Sequence, residues 1–143
     1  MKFAFQAIAL LALTSSCSNH SLNEESILGC WTSMEEKKME CWEKRGDTLY
    51  GEGLALQDMG VGVMDTVLWE SFKLYTDSGA RKYVVNVQGQ EPVTFTETSP
   101  WVFENPEHDF PKLLKYTFNP KGDLEVTVGE GEEAFMWVFR RNK

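Results

Sequence analysis

The segment Ala80-Arg81-Lys82-Tyr83-Val84-Val85-Asn86-Val87-Gln88 repeats with a period of two: Tyr83, Val85 and Val87 fall on one face, Lys82 and Asn86 on the other. Successive side chains of an extended chain point to opposite sides, so this stretch reads as a half-buried β-strand. The same pattern recurs at 123–129, where Leu124, Val126 and Val128 oppose Asp123, Glu125 and Thr127. Outward from these two segments, β-branched and aromatic runs predict strands at 27–33, 38–44, 48–57, 65–76, 80–88, 92–98, 101–104, 112–119, 123–129 and 133–141. Turn chemistry separates most of them, as at Arg45-Gly46-Asp47, Asp77-Ser78-Gly79, Gln88-Gly89-Gln90 and Asn119-Pro120-Lys121-Gly122. Some ten short strands at ~8–12 residue spacing point to an all-β barrel or sandwich.

Three stretches need separate treatment. Met34 to Arg45 is rich in Glu and Lys, but its apolar residues at 34, 39, 41 and 42 trace no helical face, so a hairpin is expected. Ala134 to Phe139 is apolar on both faces, the pattern of a strand covered on both sides. All five prolines lie between 92 and 120, where the irregular part of the fold is expected.

At the amino end, Lys2 precedes an apolar run from Phe3 to Leu13 broken only by Gln6. The run is too short for a membrane-spanning helix, which needs ~20 apolar residues, and suits the h-region of an export signal. Leu13-Thr14-Ser15-Ser16-Cys17 resembles a bacterial lipoprotein lipobox, with Thr14 where that pattern has an aliphatic residue. The expected organisation is a signal peptide at 1–16, a lipidated Cys17 with a flexible polar tether at 17–26, and a β-barrel domain at 27–143. Ordinary cleavage near Ser16, leaving Cys17 as a free thiol, is the alternative. A lipidated chain would sit in the bacterial cell envelope, facing the periplasm or the exterior, and Ser18 after the cysteine fits outer-membrane delivery.

The formal net charge of −8 argues against a phosphate-backbone partner, and no nucleic-acid role is expected. It also disfavours adsorption to anionic lipid, so contact with a membrane would run through the acyl anchor. Cys30 and Cys41, each followed by Trp, are symmetric about Glu35-Glu36 and would face each other across a hairpin. In an exported protein they are a possible disulfide; two unbridged thiols are the other reading. The chain has no Gly-x-Ser-x-Gly elbow, His-Glu-x-x-His, Cys-x-x-Cys or Walker loop, and Gly60-Val61-Gly62 reads as a flexible loop.

Leu28-Gly29-Cys30-Trp31 at the start and Arg140-Arg141 at the end resemble the calycin signature, in which a first-strand Trp closes the barrel base under an Arg from the last strand. On that resemblance Trp31 and Arg140 are structural, joined by a cation–π contact worth ~1 kcal/mol. Phe103-Glu104-Asn105-Pro106-Glu107-His108-Asp109-Phe110-Pro111, followed by Leu114-Lys115-Tyr116, resembles an uncharacterised bacterial lipocalin-like family, domain of unknown function 6265. Gly51-x-Gly53, Glu40-x-Trp42, Trp69-Glu70-x-Phe72 and Pro92-x-x-Phe95 extend the resemblance over roughly residues 27–141. It implies a single antiparallel up-and-down β-barrel of calycin type and no established activity. The cysteines at 30 and 41 depart from it.

Two jobs are open for the 103–111 phrase. It can be a rigid corner, with Asn105 and Asp109 satisfying turn backbone and both Phe rings plugging the rim. Alternatively His108 and Asp109 face a cavity, the carboxylate setting the imidazole tautomer. Glu40 and Glu70 each sit near a Trp in an apolar strand. Alternation is expected to turn Glu40 outward, while Glu70 is open; were both inward, they could meet His108 as an acid–base pair or an incomplete metal site.

The leading functional expectation is a binding module for a small apolar or amphipathic molecule, with ligand contacts from Trp69, Glu70, Phe72, Tyr83, Asn105, His108 and Tyr116, and Phe95 in the lining. A barrel with no cavity above ~300 Å³ would count against this reading. An enzyme using His108 with Asp109 or Glu70 in acid–base roles is the alternative, and a structural or partner-binding envelope lipoprotein is a third. No cofactor and no bound metal are expected, a haem-binding variant requiring His108 as the iron ligand, and the chain is expected to be monomeric.

Overall fold

The computed structural model describes residues 21–143 apart from 34 and 36. The expected signal peptide and Cys17 lie outside the described residues. Ten strands follow a single helical turn: α1 (Glu24–Ile27), then β1 (Gly29–Ser33), β2 (Lys38–Arg45), β3 (Thr48–Asp58), β4 (Met64–Asp77), β5 (Ala80–Val87), β6 (Val93–Ser99), β7 (Val102–Glu104), β8 (Leu113–Phe118), β9 (Leu124–Gly129) and β10 (Phe135–Arg141). Each expected strand is present within two residues at either end.

Every strand pairs antiparallel with its neighbours in the chain, and β1 closes the ring against β10, with Trp31 opposite Arg141 and Thr32 opposite Arg140. The fold is a closed, up-and-down, ten-stranded β-barrel of calycin-like form. Period-two patterning places Leu124 and Val126 of β9 inside with Tyr83 of β5, Phe95 of β6 and Phe139 of β10, all at most 2 % exposed. β1 and β2 pair as the expected hairpin, and Cys30 stands directly opposite Cys41. The two are joined by a disulfide between neighbouring strands, on the face away from the buried Trp31 and Trp42.

Three expectations are corrected. The 17–26 segment is expected to be a flexible tether, but in its described part, 21–26, Asn23 accepts hydrogen bonds from the backbone of Glu25 and Ser26, while the Ser26 hydroxyl accepts one from the Asn23 backbone. This capping box starts a turn whose Ile27 is fully buried in the core, with Leu22 packed against it. One well-placed apolar residue after a cap is enough to make the segment a plug for the barrel base.

The Arg across Trp31 is Arg141 rather than Arg140. Its guanidinium lies 4.3 Å above the indole and donates to the carbonyls of Leu28 and Ser26, while Trp31 Nε1 donates to the Ile27 carbonyl at 2.7 Å. Arg140 is on the opposite, outward face and, among the described residues, its one ion pair is with Asp123 at 4.0 Å. The one-residue difference flips the face, as alternation requires.

The third correction concerns β10, expected to be covered on both sides. Met136 and Val138 are 57 % and 40 % exposed, because the described residues supply a single closed sheet and no layer outside it.

Candidate functional site

Lys38, Glu40 and Trp42 alternate onto the inner face of β2, and Glu70, Phe72 and Leu74 onto that of β4. Between them, β3 contributes Gly51 and Gly53: Glu40 pairs with Gly53, which pairs with Glu70. A Cβ on Gly53 would lie 2.8 Å from Cγ and Oε1 of Glu70, and one on Gly51 would lie 2.8 Å from the Phe72 ring. The two glycines leave the room into which these larger side chains fold.

The result is a cavity of about 220 Å³ that runs from buried Glu40, Tyr83 and Tyr116 to exposed Gln90, Glu91 and Phe110. Its walls are mainly apolar and aromatic, including Phe72, Phe95, Trp137 and Phe139. The expectation of a cavity above ~300 Å³ is corrected: this cavity falls short of the size that houses a drug-sized ligand, so any occupant has to be smaller.

The cavity floor is a connected polar network. Trp42 Nε1 donates to Glu40 Oε2 at 3.2 Å, and the Tyr116 hydroxyl donates to Glu40 Oε1 at 3.1 Å. The Tyr83 and Tyr116 hydroxyls are 2.9 Å apart. With Glu40 ionised, the Tyr116 proton is committed to the carboxylate and Tyr83 donates to Tyr116. Burial pushes the Glu40 carboxyl up to about 7; the Trp42 hydrogen bond opposes this and the Glu70 charge adds to it. Glu70 is also raised by burial, with the positive charge of Lys38 pulling back. Burial, reinforced by the Glu40 charge, lifts Tyr83 and Tyr116 well above the usual phenol range. Lys38 holds its ammonium 3.8 Å over the Trp137 ring, across the barrel seam.

Of the residues expected to contact a ligand, Glu70, Phe72, Tyr83, His108 and Tyr116 line the cavity, as does Phe95. Trp69 does not: it sits on the outer face of β4, 38 % exposed, one position from inward Glu70. Asn105 does not line it either. Its side chain donates to the Thr94 carbonyl and accepts from the Glu107 backbone, which fixes the corner between β7 and β8. Phe103 is fully buried in the core rather than at the rim, whereas Phe110 packs edge-on to Phe135 there.

His108 faces the cavity, but its Nδ1 is 2.8 Å from the Pro111 carbonyl, so in the neutral ring Nδ1 carries the proton and Nε2 the lone pair. The imidazole is thus oriented by a backbone carbonyl and by an edge contact to Phe95, not by Asp109, which is exposed and away from the lining. Glu40, Glu70 and His108 do not converge: among the described residues no group of three His, Cys, Asp or Glu side chains could hold a metal ion.

Glu40 is the principal residue that sequence reasoning misplaced. It is only 7 % exposed and points inward. The usable signal was its spacing of two from Trp42: an inward Trp on a strand carries the residue two positions away onto the same face.

Fold and cavity together define a cavity-bearing up-and-down β-barrel with a carboxylate-and-tyrosine floor. No family model matches the chain, and no curated protein or solved structure matches it.

Proposed function

We propose that the protein is a binding module that carries one small amphipathic molecule inside the barrel, held in the bacterial cell envelope by a lipid on Cys17. The family of lipocalin-like envelope proteins suggested by the 103–116 phrase and the Gly-x-Trp opening is part of this reading. Its main support is the 220 Å³ cavity, apolar along its walls, polar at its floor and open at the Phe110 rim. Pockets that bind small molecules combine mostly apolar linings with a few convergent polar groups in this way. The volume narrows the ligand to a compact one, smaller than a long-chain lipid.

The test is native followed by denaturing mass spectrometry on protein extracted from its own membrane fraction. A small mass lost on denaturation, together with an acyl adduct on Cys17, is the expected result. A barrel that is empty as isolated and binds no compact apolar probe at millimolar concentration overturns the carrier reading. An unacylated Cys17 overturns the anchoring part alone.

A further inference from the structure

We propose that the ligand class is a small organic cation, an ammonium group on a compact apolar or aromatic body, with the ammonium seated between Glu40 and Glu70. This rests on the carrier reading and specifies its substrate class.

The hydrogen-bond polarity of the floor is the first support. With Glu40 ionised, the Tyr116 proton is spent on Glu40 and the Tyr83 proton on Tyr116. What remains toward the cavity is lone pairs: those of the Tyr83 oxygen, of the Glu70 carboxylate and the unused ones of Glu40. A floor of acceptors matches a ligand end that only donates, and an ammonium is such a group, with three donors and no acceptor.

Charge is the second support. Glu40 and Glu70 flank Gly53 from adjacent strands, and no described Lys or Arg forms an ion pair with either. Lys38, which shares the lining, is drawn over Trp137 instead. Glu91 adds a third carboxylate at the rim, and His108 is the remaining titratable group on the lining apart from the two tyrosines. Lys38 offsets part of the Glu70 charge from a distance, whereas no described cation acts on Glu40. A buried carboxylate without a counter-ion is costly, so an incoming cation gains most at Glu40 and adds Glu70 beside it.

The walls are the third. Phe72, Tyr83, Phe95 and Trp137 present aromatic surface to the same space, the surroundings that attract an ammonium and pack its apolar body. Two glycines that keep side-chain bulk out of the space between Glu40, Glu70 and Phe72 complete the seat.

The experiment titrates the disulfide-intact protein with 2-phenylethylamine, its neutral counterpart 2-phenylethanol and the anion of 3-phenylpropionic acid, followed by tryptophan fluorescence and calorimetry. At pH 8 the amine is expected to bind at least tenfold tighter than the alcohol, and the acid weakest. Because Glu40 must be ionised to pair with the ammonium, amine affinity is expected to fall at least tenfold from pH 8 to pH 5.5, with proton release on binding near pH 6.5. The alcohol is expected to show no such dependence. Glu40→Gln and Glu70→Gln should each erase most of the amine's advantage while leaving alcohol binding in place, and either variant alone suffices should the other fail to fold. An alcohol or acid that binds as tightly as the amine overturns the cation assignment and leaves the carrier reading standing. Failure of all three probes to bind overturns both.

Discussion

Replacing Glu40 by Gln tests the floor of the cavity through stability alone. In the folded barrel the carboxyl is buried and held up to about 7, against an ordinary value of 4.5. The folded state therefore binds a proton that the unfolded state has lost between these two values. The Glu40 contribution to stability is greatest below pH 4.5, declines as pH rises toward 7, and is flat above. At 1.36 kcal/mol per pH unit, the wild-type protein forfeits about 3 kcal/mol across that window on account of Glu40. Glutamine keeps the shape, still accepts from Tyr116 or Trp42, and does not titrate. Urea unfolding of the ligand-free, disulfide-intact proteins at pH 4, 6 and 8 is the assay. The two should have nearly equal midpoints at pH 4, and Glu40→Gln should be the more stable at pH 8 by about 3 kcal/mol. With m-values of ~1–3 kcal/mol/M, the midpoints then diverge by roughly 1–3 M. Parallel profiles for the two proteins from pH 4 to 8 would refute the reasoning, since they would mean that Glu40 keeps its ordinary pKa and is solvated.

Three further outcomes are expected. Arg141→Leu should cost ~1–3 kcal/mol, because it removes the cation above Trp31 and leaves the Leu28 and Ser26 carbonyls without their donor, whereas Arg140→Leu should cost under ~0.5 kcal/mol; equal losses in thermal unfolding would contradict the assignment. Gly53→Ala should destabilise by ~1–3 kcal/mol and weaken binding of any cavity ligand, since the new methyl meets Glu70 and Phe72 at under 3 Å; a neutral effect in urea unfolding would show that the space is not occupied as described. The doubly substituted Cys30→Ser, Cys41→Ser protein should lose ~2–3 kcal/mol, the chain-entropy value for a loop closed over 11 residues, as read from its urea midpoint.

The all-β class and the ten strands were legible because a β-strand writes its two faces at a fixed period of two, while the choice of a barrel over a sandwich came from the family resemblance. The alternation in 80–88 and 123–129 marked inward residues, and the Gly and Asn turns marked where one strand gives way to the next. The cysteine hairpin was legible for a similar reason: two residues equidistant from a turn must meet if the strands pair without a bulge. Local regularity also explains why Phe72, Tyr83, Phe95 and Tyr116 could be named as lining residues in advance. Where prediction failed, hydropathy and position within the strand gave conflicting signals. Trp69 is aromatic yet outward, and Glu40 is charged yet inward, because β-sheet geometry assigns the face regardless of side-chain type.

From the sequence by itself came the class of fold, the number of strands, the turns, the pairing of Cys30 with Cys41 across a hairpin, and the expectation of an acidic exterior. These follow from interactions between residues close in the chain, or from composition. The register at which β1 meets β10, the choice of Arg141 over Arg140 for the base, the use of 23–27 as a plug, and the meeting of Glu40, Glu70, Tyr83 and Tyr116 around the space above Gly53 came only from the tertiary structure. Each depends on the register between strands, which sets which residues share a level of the barrel. Register is the sum of all ten pairings, and no single strand carries it.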